Sequence, residues 1–424
     1  MMKLLQWLIA QEWLMRALSP LIGAYNPFLP EYRRDPHVTW KKLRENSPVF
    51  YSRGFGAWMV TRHEDVSTLL RDPAVTADRS ETAIMRFTKW ANRNEPEFRD
   101  FMQQSLLVRE GAEHRRLRGL VSKAFTPRRV AELRPRLESL AETILDDAAA
   151  RGKMELVEEF AYPFPVVAIA EMLGIPAEDR RQFHGWTSDL VQLLDPFQGK
   201  EGAEPMRRAT RELYAYFRPL LAARRVEPRD DLMSAMIQAE DAGTQLDEGD
   251  LLALCTLLLA AGHETTANLI GNSVVALLRN PDQRKRLQED PALFRTAIDE
   301  FLRYDSPIQW TDRALAADTQ IAGQSMRRGQ MVAIGLAAAN RDPEVFDDPD
   351  RLDLSRDPNP HLAFGHGAHF CIGSQLARLE AEIALSALLT RFPDFSGPVD
   401  PPSWRRSMLL RGPASLPIEL GNPA

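Results

Sequence analysis

The chain has 424 residues, of which 44% are hydrophobic and 26% are charged, so it can bury a large core and is neither disordered nor collagen-like in composition. Its 53 basic and 59 acidic residues leave a net charge of −6, which provides no electrostatic footprint for nucleic acid phosphates. We therefore exclude nucleic acid as a partner and expect an ordinary globular protein.

The first 28 residues are apolar but interrupted. A bilayer-spanning helix needs roughly 20 consecutive apolar residues. Here such a run is interrupted by the polar and charged residues Lys3, Gln6, Gln11, Glu12 and Arg16. The segment also lacks the clean apolar stretch and the small-residue cleavage site of a signal peptide. We predict an amphipathic helical extension over residues 1–28 that packs on the protein, with a loose membrane contact as the less favoured alternative.

Apolar residues at helical spacing dominate the rest of the chain, and no repeat, low-complexity tract or flexible linker divides it. Long helices are predicted at about 128–170, 206–225, 246–279 and 372–392, and short β-like runs at about 48–60 and 320–334. We therefore predict a mainly α protein with small β-sheets, an α+β fold, in which residues 29–424 form a single large domain.

The helix predicted at 246–279 has an unusual middle. Gly262 costs a helix interior about 1 kcal/mol relative to alanine. Thr265 and Thr266 carry hydroxyl groups that can bond the backbone carbonyls behind them. Together with Glu264, these residues indicate a helix segment of reduced stability that has a functional role. A kinked core helix explains the local sequence equally well.

The chain has two cysteines, which cannot build a disulfide framework and fit a reducing cytoplasm best. Cys255 lies in an apolar run and is predicted to be a small core residue. Cys371 precedes a predicted helix, where free amides and the helix dipole favour a thiolate, and three nearby glycines let the backbone approach a flat ligand. Phe364 can lie against such a ligand.

Two other functions of Cys371 remain open from the local residues. A zinc site would need further nitrogen or sulfur ligands at characteristic spacing, and only His361, His366 and His369 are near in sequence. A catalytic cysteine could use His366 or His369 as its base.

The segment Phe364-Gly365-His366-Gly367-Ala368-His369-Phe370-Cys371-Ile372-Gly373 resembles the haem-binding signature of the cytochrome P450 family, whose cysteine is the axial ligand. Two further motifs share this resemblance. Glu300-Phe301-Leu302-Arg303 is similar to the Glu-x-x-Arg pair of the family, and the stretch 339–356 is similar to its meander. The resemblance implies that Glu300, Arg303 and Arg356 form a charged cluster that holds the loop carrying the thiolate.

The resemblance also implies the other site residues. Thr265 would hydrogen-bond dioxygen and Glu264 would help to relay protons to it through water. The haem propionates would be bound by cationic side chains, which are His114, Arg118, Arg313 and His369. The remaining cofactor contacts are assigned to Phe364, Gly365 and Ala261.

On this basis we expect a haem-thiolate monooxygenase, an oxidoreductase that binds haem b (iron protoporphyrin IX). It would insert one oxygen atom of O2 into a hydrophobic organic substrate, by hydroxylation as the default and by epoxidation as an alternative. Two other functions are a peroxygenase that uses hydrogen peroxide directly and a haem protein that only binds or senses a small molecule. The former would not need Glu264 and Thr265.

We expect electrons to come from a separate ferredoxin or flavodoxin with its reductase, because little chain follows Cys371. A basic docking face for this partner is predicted from Arg115, Arg116, Lys123 and Arg378, and ordinary solvated helix charge is the equally good alternative.

The substrate pocket, by resemblance, would draw on several mostly apolar segments. They are residues 82–94, residues 183–197, Leu258 and Ala261, residues 307–310 and residues 407–410, with Trp90, Trp186 and Trp310 as candidate walls. This composition predicts a hydrophobic substrate of moderate size and does not choose among terpenoids, fatty acids, polyketides and aromatic compounds.

Overall fold

The computed structural model describes residues 11–23, 25–80, 82, 94–179, 183, 185–186, 189–190, 204–241, 244–400, 403–405 and 407–422. These residues are mainly helical, with small sheets, as predicted. The chain forms two compact units, the first from Met1–Val75, Arg134–Phe164 and Thr265–Ala424, and the second from Thr76–Leu133 and Pro165–Glu264.

The first unit combines helices with most of the strands. Its helices are Glu12–Ala17, Ser19–Ile22, Pro30–Arg34, Pro36–Asn46, His63–Leu69, Arg134–Ala149, Pro281–Glu289, Phe294–Tyr304, Leu336–Ala339 and Ser374–Arg391, with a π-helix at Val157–Ala161 and 3-10 turns at Pro291–Leu293 and Gly367–His369. The helix Glu248–Arg279, called the central helix below, is continuous, and the boundary between the units falls within it, after Glu264.

The main sheet has five strands. Their order across the sheet is Val49–Ser52, Ala57–Val60, Met331–Ile334, Thr311–Leu315 and Val75–Thr76. Met331–Ile334 pairs parallel with Ala57–Val60 and antiparallel with Thr311–Leu315, in a register that sets Val332 opposite Arg313. A cluster of buried aliphatic side chains packs on this sheet, including Val60, Val66 and Ile334.

Smaller antiparallel pairs complete the first unit. They are Thr319–Ile321 with Gln324–Met326, Ser403–Trp404 with Pro413–Ser415, and Lys153–Glu155 with Pro417–Glu419. The β-like run predicted at 320–334 is thus three short strands. The run predicted at 48–60 is the hairpin that opens the main sheet, with Gly56 at φ 62° in its turn.

The second unit is almost entirely helical. Its helices are Pro96–Gln104, Gly111–Ala124, Pro127–Glu132, Pro163–Met172, Glu204–Val226 and Leu232–Gln238, with a 3-10 turn at Ala177–Asp179 and the short strands Glu240–Asp241 and Thr244–Gln245. Buried Arg224 donates to Asp231 at 2.5 Å and to the Gly174 carbonyl at 2.9 Å, which ties three segments of this unit together.

The stretch of helical spacing predicted at 128–170 forms several helices and is interrupted by a strand. The chain leaves helical geometry at Gly152, whose φ of 64° is in the left-handed region, and then forms the strand Lys153–Glu155. This strand is stabilised by its pairing with Pro417–Glu419, a partner far away in sequence that local periodicity cannot reveal. Helical geometry resumes at Val157.

The described part of the N-terminal segment contains two short helices, Glu12–Ala17 and Ser19–Ile22. Arg16 forms an ion pair with Glu31 at 2.6 Å, so the segment contacts the residues that follow it. Among the residues that the structure describes, no helix is long and apolar enough to cross a membrane. The extension over residues 1–28 as a separate unit remains a prediction.

Candidate functional site

The loop that carries Cys371 is shaped by two left-handed glycines. Gly365 has a φ of 72° and Gly367 a φ of 74°, conformations that a residue with a side chain adopts only with strain. The Cys371 N–H donates to the Phe364 carbonyl at 3.0 Å, which closes the loop on itself. At Gly367 a Cβ atom would lie 2.5 Å from the Leu70 carbonyl oxygen, so this position also requires glycine.

The two cysteines lie in opposite environments. Cys255 is buried in the central helix, where burial raises the pKa of its thiol, so it is an inert core residue as predicted. Cys371 is partly exposed and lies three residues before the helix Ser374–Arg391. Cys371 is therefore the more accessible of the two.

The zinc alternative lacks its ligands. No group of three or more His, Cys, Asp or Glu side chains that could hold a metal ion occurs in the described ranges, which include Cys371 and the three nearby histidines. His361 instead bonds Asp299 at 3.0 Å. The donor set around Cys371 therefore fits a metal that takes one protein ligand and brings its other ligands with it, which is the chemistry of a haem.

Glu300 and Arg303 form a buried ion pair on the helix Phe294–Tyr304. Arg303 Nε donates to Glu300 Oε2 at 2.7 Å and Arg303 Nη2 donates to Oε1 at 2.8 Å, a bidentate geometry with both side chains fully buried. Burial lowers the pKa of the Arg303 guanidinium, and the Glu300 carboxylate opposes that effect.

This pair is bound to the meander, and the predicted cluster is confirmed. Arg356 Nε donates to Glu300 Oε2 at 3.2 Å, and Arg303 Nη1 donates to the Asn340 and Pro349 carbonyls at 3.0 and 2.8 Å. Sequence reasoning missed Asn359, whose side-chain amide donates to the same Glu300 oxygen at 3.2 Å. The cluster thus fixes the backbone on the approach to the Cys371 loop.

The middle of the central helix is buried and polar. His263 Nδ1 donates to the Leu259 carbonyl at 2.7 Å, and His263 Nε2 lies 3.9 Å from Glu264 Oε2, with both side chains buried. Thr265, the next residue, is partly exposed. The helix is uninterrupted at Gly262, where a Cβ atom would meet only Ile169 at 3.9 Å.

The four predicted propionate ligands lie on three kinds of element. His114 and Arg118 are one turn apart on the helix Gly111–Ala124, with His114 buried. Arg313 is on the strand Thr311–Leu315, where its Nη1 donates to Thr311 Oγ1 at 3.0 Å. His369 ends the 3-10 turn before Cys371. Their roles toward a cofactor remain predictions.

Two residues of the predicted docking face, Arg116 and Arg378, form ion pairs with acidic side chains. Arg116 bonds Glu113 at 3.0 Å and Asp250 at 3.1 Å, and Arg378 bonds Asp299 at 2.8 Å. Arg115 and Lys123 are exposed on the helix Gly111–Ala124.

Two of the predicted pocket segments lie side by side. Residues 307–310 and 407–410 are joined by the Gln309 N–H, which donates to the Leu409 carbonyl at 2.8 Å, and by the Trp310 indole, which donates to the Met408 carbonyl at 3.0 Å. Trp90 and most of residues 82–94 and 183–197 lie outside the described residues. Trp186 packs against Phe183 with ring centroids 5.1 Å apart.

A second ionic cluster lies next to the Cys371 loop, and the sequence analysis missed it. Asp299 accepts hydrogen bonds from His361 and from Arg378, at 3.0 and 2.8 Å. The Arg378 guanidinium lies 4.6 Å from the centroid of the Phe364 ring. The available signals were the position of Asp299 next to Glu300 and that of His361 three residues before Phe364.

Comparison with known proteins gives a consistent result. The family model described as Cytochrome P450 matches residues 81–416. The chain is 42% identical over 398 residues to cytochrome P450 107B1 of Saccharopolyspora erythraea, covering 92% of this chain and 96% of the relative. It is 39% identical over 405 residues to the polyketide biosynthesis cytochrome P450 PksS of Bacillus subtilis, covering 93% and 98%. The solved structure of PksS superposes with a TM-score of 0.85 at 37% identity, covering 93% of this chain and 99% of that chain.

The chain therefore belongs to the cytochrome P450 family and has its fold. It is an oxidoreductase of the monooxygenase type, and the cofactor of the family is haem b, bound through a cysteine thiolate. The Cys371 loop fits that cofactor, because it holds the one cysteine of the chain outside the core on a glycine-shaped turn. The family also requires O2 and a redox partner.

Proposed function

We propose that Cys371 is the thiolate ligand of the haem iron and that the protein inserts one oxygen atom of O2 into a hydrophobic substrate. The geometry of the Cys371 loop supports this proposal most directly. The partly exposed thiol of Cys371 precedes a long helix, and the Cys371 backbone N–H donates to the Phe364 carbonyl. When bound, haem supplies the activation of O2, and a thiolate ligand favours cleavage of the O–O bond.

Glu264 and Thr265 move protons to the oxygen side of the site in this proposal. A proton passes from the Glu264 carboxyl, through water, to Thr265 Oγ1 and onward to the reacting oxygen. The placement of the two residues supports this role, because they are consecutive on the central helix and Thr265 is partly exposed while Glu264 is buried.

The remaining predicted site residues bind the cofactor. His114, Arg118, Arg313 and His369 are proposed to hold the two propionates, since each can donate a charge-assisted hydrogen bond to a carboxylate. Phe364, Gly365 and Ala261 are proposed to contact the macrocycle, the first with its ring and the other two by their small size.

Electrons are proposed to come from a separate ferredoxin or flavodoxin and its reductase, in the cytoplasm. The two cysteines, neither of which is in a disulfide, fit a reducing compartment. Arg115 and Lys123, exposed on one helix, are the proposed contacts with an acidic partner.

The substrate is proposed to be a hydrophobic molecule of moderate size, and polyketides are the first class to screen. A relative named for polyketide biosynthesis is 39% identical over most of the chain. The paired segments 307–310 and 407–410 are rich in apolar side chains, as such a pocket requires. Binding would be detected as a shift of the resting iron from low to high spin.

Turnover of a compound found in that screen tests the proposal. With a surrogate ferredoxin and its reductase, we expect product formation driven by NADH and closely coupled to O2 uptake. Thr265→Ala should uncouple the two, whereas Thr256→Ala, a buried threonine of the same helix, should not. Unchanged coupling in Thr265→Ala would show that the proton relay is wrong, and turnover with hydrogen peroxide alone would favour a peroxygenase.

A further inference from the structure

The cluster of Asp299, His361 and Arg378 holds two opposite charges at the edge of the Cys371 loop. Arg378 Nε and His361 Nε2 both approach Asp299 Oδ1, at 2.8 and 3.0 Å. Burial acts to raise the pKa of Asp299, but the hydrogen bond from His361 and the positive charge of Arg378 lower it below its usual value. Asp299 is therefore ionised and compensates Arg378.

His361 forms a hydrogen bond at each of its ring nitrogens. The Ala363 N–H donates to His361 Nδ1 at 3.2 Å, and His361 Nε2 donates to Asp299 Oδ1 at 3.0 Å. His361 is thus a positioning residue that fixes the Asp299 carboxylate.

Arg378 connects this cluster to Cys371 through Phe364. Its guanidinium lies 4.6 Å from the centroid of the Phe364 ring, and its Nη1 donates to the Ser374 carbonyl at 3.4 Å. The carbonyl of Phe364 accepts the Cys371 N–H at 3.0 Å. The cation of the cluster therefore lies against Phe364, whose carbonyl holds the Cys371 backbone, and the counter-ion Asp299 is bonded to that cation.

We propose that Arg378 and Asp299 set the reduction potential of the haem from the cysteine side, with Arg378 raising it and Asp299 offsetting that effect. This inference rests on the proposed ligation by Cys371. A positive charge near the iron stabilises the reduced form, which carries one more electron, and a negative charge destabilises it. Because the cluster is only partly exposed, its charges are screened less than those of surface pairs.

The test is a redox titration of the haem-loaded protein without any electron donor, so that docking does not contribute. Asp299→Asn removes the negative charge and should shift the midpoint potential to more positive values. Arg378→Gln removes the positive charge and should shift it to more negative values. The double variant should return close to the wild-type potential, and Arg378→Lys, which keeps the charge, should stay closer to wild type than Arg378→Gln.

A matched control is the ion pair of Arg295 and Asp357, which is 3.4 Å long with side chains 76% and 60% exposed. Arg295→Gln and Asp357→Asn make the same charge changes and should leave the potential unchanged. Thermal unfolding of each variant reports separately on any loss of structure.

The inference is overturned if Asp299→Asn and Arg378→Gln shift the potential in the same direction, or if neither shifts it more than the control variants. That failure differs from failure of the proposed ligation. Wild-type protein that lacks the thiolate band in its reduced carbon monoxide spectrum would contradict the proposed function itself. A normal band, with the same midpoint potential in Asp299→Asn and Arg378→Gln, would contradict only the role of this cluster.

Discussion

Glu380 is a carboxylic acid in the core of the helix Ser374–Arg391, nine residues after Cys371 in the chain. It is 1% exposed, and burial raises its pKa well above the usual value, against the smaller effect of a hydrogen bond with the Thr266 side chain. The group is therefore held in its protonated form. Such a side chain makes the fold sensitive to pH, because the unfolded chain ionises more readily than the folded one.

We expect Glu380→Gln to remove this sensitivity. The folded pKa is raised, so the contribution of Glu380 to wild-type stability should be greatest below the unfolded value of about 4.3 and should fall as the pH rises above it. Glutamine is neutral throughout and can still accept the bond from Thr266. Unfolding midpoints measured over a pH series should therefore show that the stability of the variant relative to wild type increases as the pH increases. A constant difference would mean that Glu380 is ionised in the folded protein.

Asp305 is the opposite case. Burial acts to raise the pKa of its carboxyl, but the charge of Arg411 and the hydrogen bond from His37 lower it well below the usual value. Arg411 Nε donates to Asp305 Oδ1 at 2.6 Å, and His37 Nε2 lies 3.3 Å from the same oxygen. Removing the carboxylate would leave the buried guanidinium of Arg411 uncompensated.

We predict that Asp305→Asn costs about 3–5 kcal/mol in the free energy of unfolding at neutral pH. The folded pKa is lowered, so this stabilisation is present above the unfolded value of about 3.9 and is lost as the pH falls below it. Asp400→Asn, in an exposed pair with Arg279, should cost less than about 1 kcal/mol. Equal losses in the two variants, measured by chemical denaturation, would show that burial does not decide the strength of these pairs.

Two of the three glycines of the central helix, Gly262 and Gly271, have different surroundings. At Gly271 a Cβ atom would lie 2.8 Å from the ring of Pro413, a rigid group on the strand Pro413–Ser415. At Gly262 it would meet only Ile169, at 3.9 Å, which is ordinary contact. Gly271 therefore permits the close approach of the strand Pro413–Ser415 to the central helix. At Gly262 no contact requires glycine, so this residue only lowers the stability of the helix.

Alanine at these two positions should act in opposite directions. Gly262→Ala should stabilise the protein by roughly 0.5–1 kcal/mol, because alanine favours the helix. Gly271→Ala gains the same helical preference but is expected to lose about 1–3 kcal/mol through overpacking. Thermal unfolding of the two variants measures both effects. Stabilisation by Gly271→Ala would show that the strand moves away at little cost.

Helices with a clear periodic pattern of apolar residues were predicted correctly from the local sequence. The helices Glu204–Val226, Glu248–Arg279 and Ser374–Arg391 end within two residues of their predicted limits. Where a distant partner decides the structure, prediction failed, as for Lys153–Glu155, which is a strand only because it pairs with Pro417–Glu419. The order of the five-stranded sheet has the same origin and was not predicted.

The residues of the candidate site also fall into two groups, those that the sequence revealed and those that it did not. Cys371 and the cluster of Glu300 and Arg303 were found because they belong to contiguous motifs. Asp299 and its partners escaped, because the partners are 62 and 79 positions away along the chain and each alone resembles surface charge. Contacts of this kind are set by the packing of the whole chain.

At the scale of the whole molecule, the Glu300 cluster joins the helix Phe294–Tyr304 to the meander. Glu300 accepts hydrogen bonds from Arg303, from Arg356 and from the Asp353 N–H at 2.9 Å. Its loss would leave Arg303, which is fully buried, without its counter-charge. A change at Glu300 should therefore affect the loop of Cys371 from a distance.

We expect Glu300→Gln to lower the ratio of haem to protein on purification before it affects turnover per haem. The variant should also lose about 3–5 kcal/mol of stability. Arg295→Gln, on the same helix but exposed, should retain wild-type haem content. Full haem content with reduced turnover per haem would instead assign Glu300 a direct part in the reaction.

The central claim is the ligation of haem by Cys371, and the reduced carbon monoxide difference spectrum tests it most directly. Wild-type protein and Cys255→Ser should both show the band at the wavelength that gives the family its name, because Cys255 is an inert core residue. Cys371→His should lose that band even when haem is bound. A wild-type spectrum without the band in haem-loaded protein, or a Cys371→His spectrum that retains it, would contradict the account.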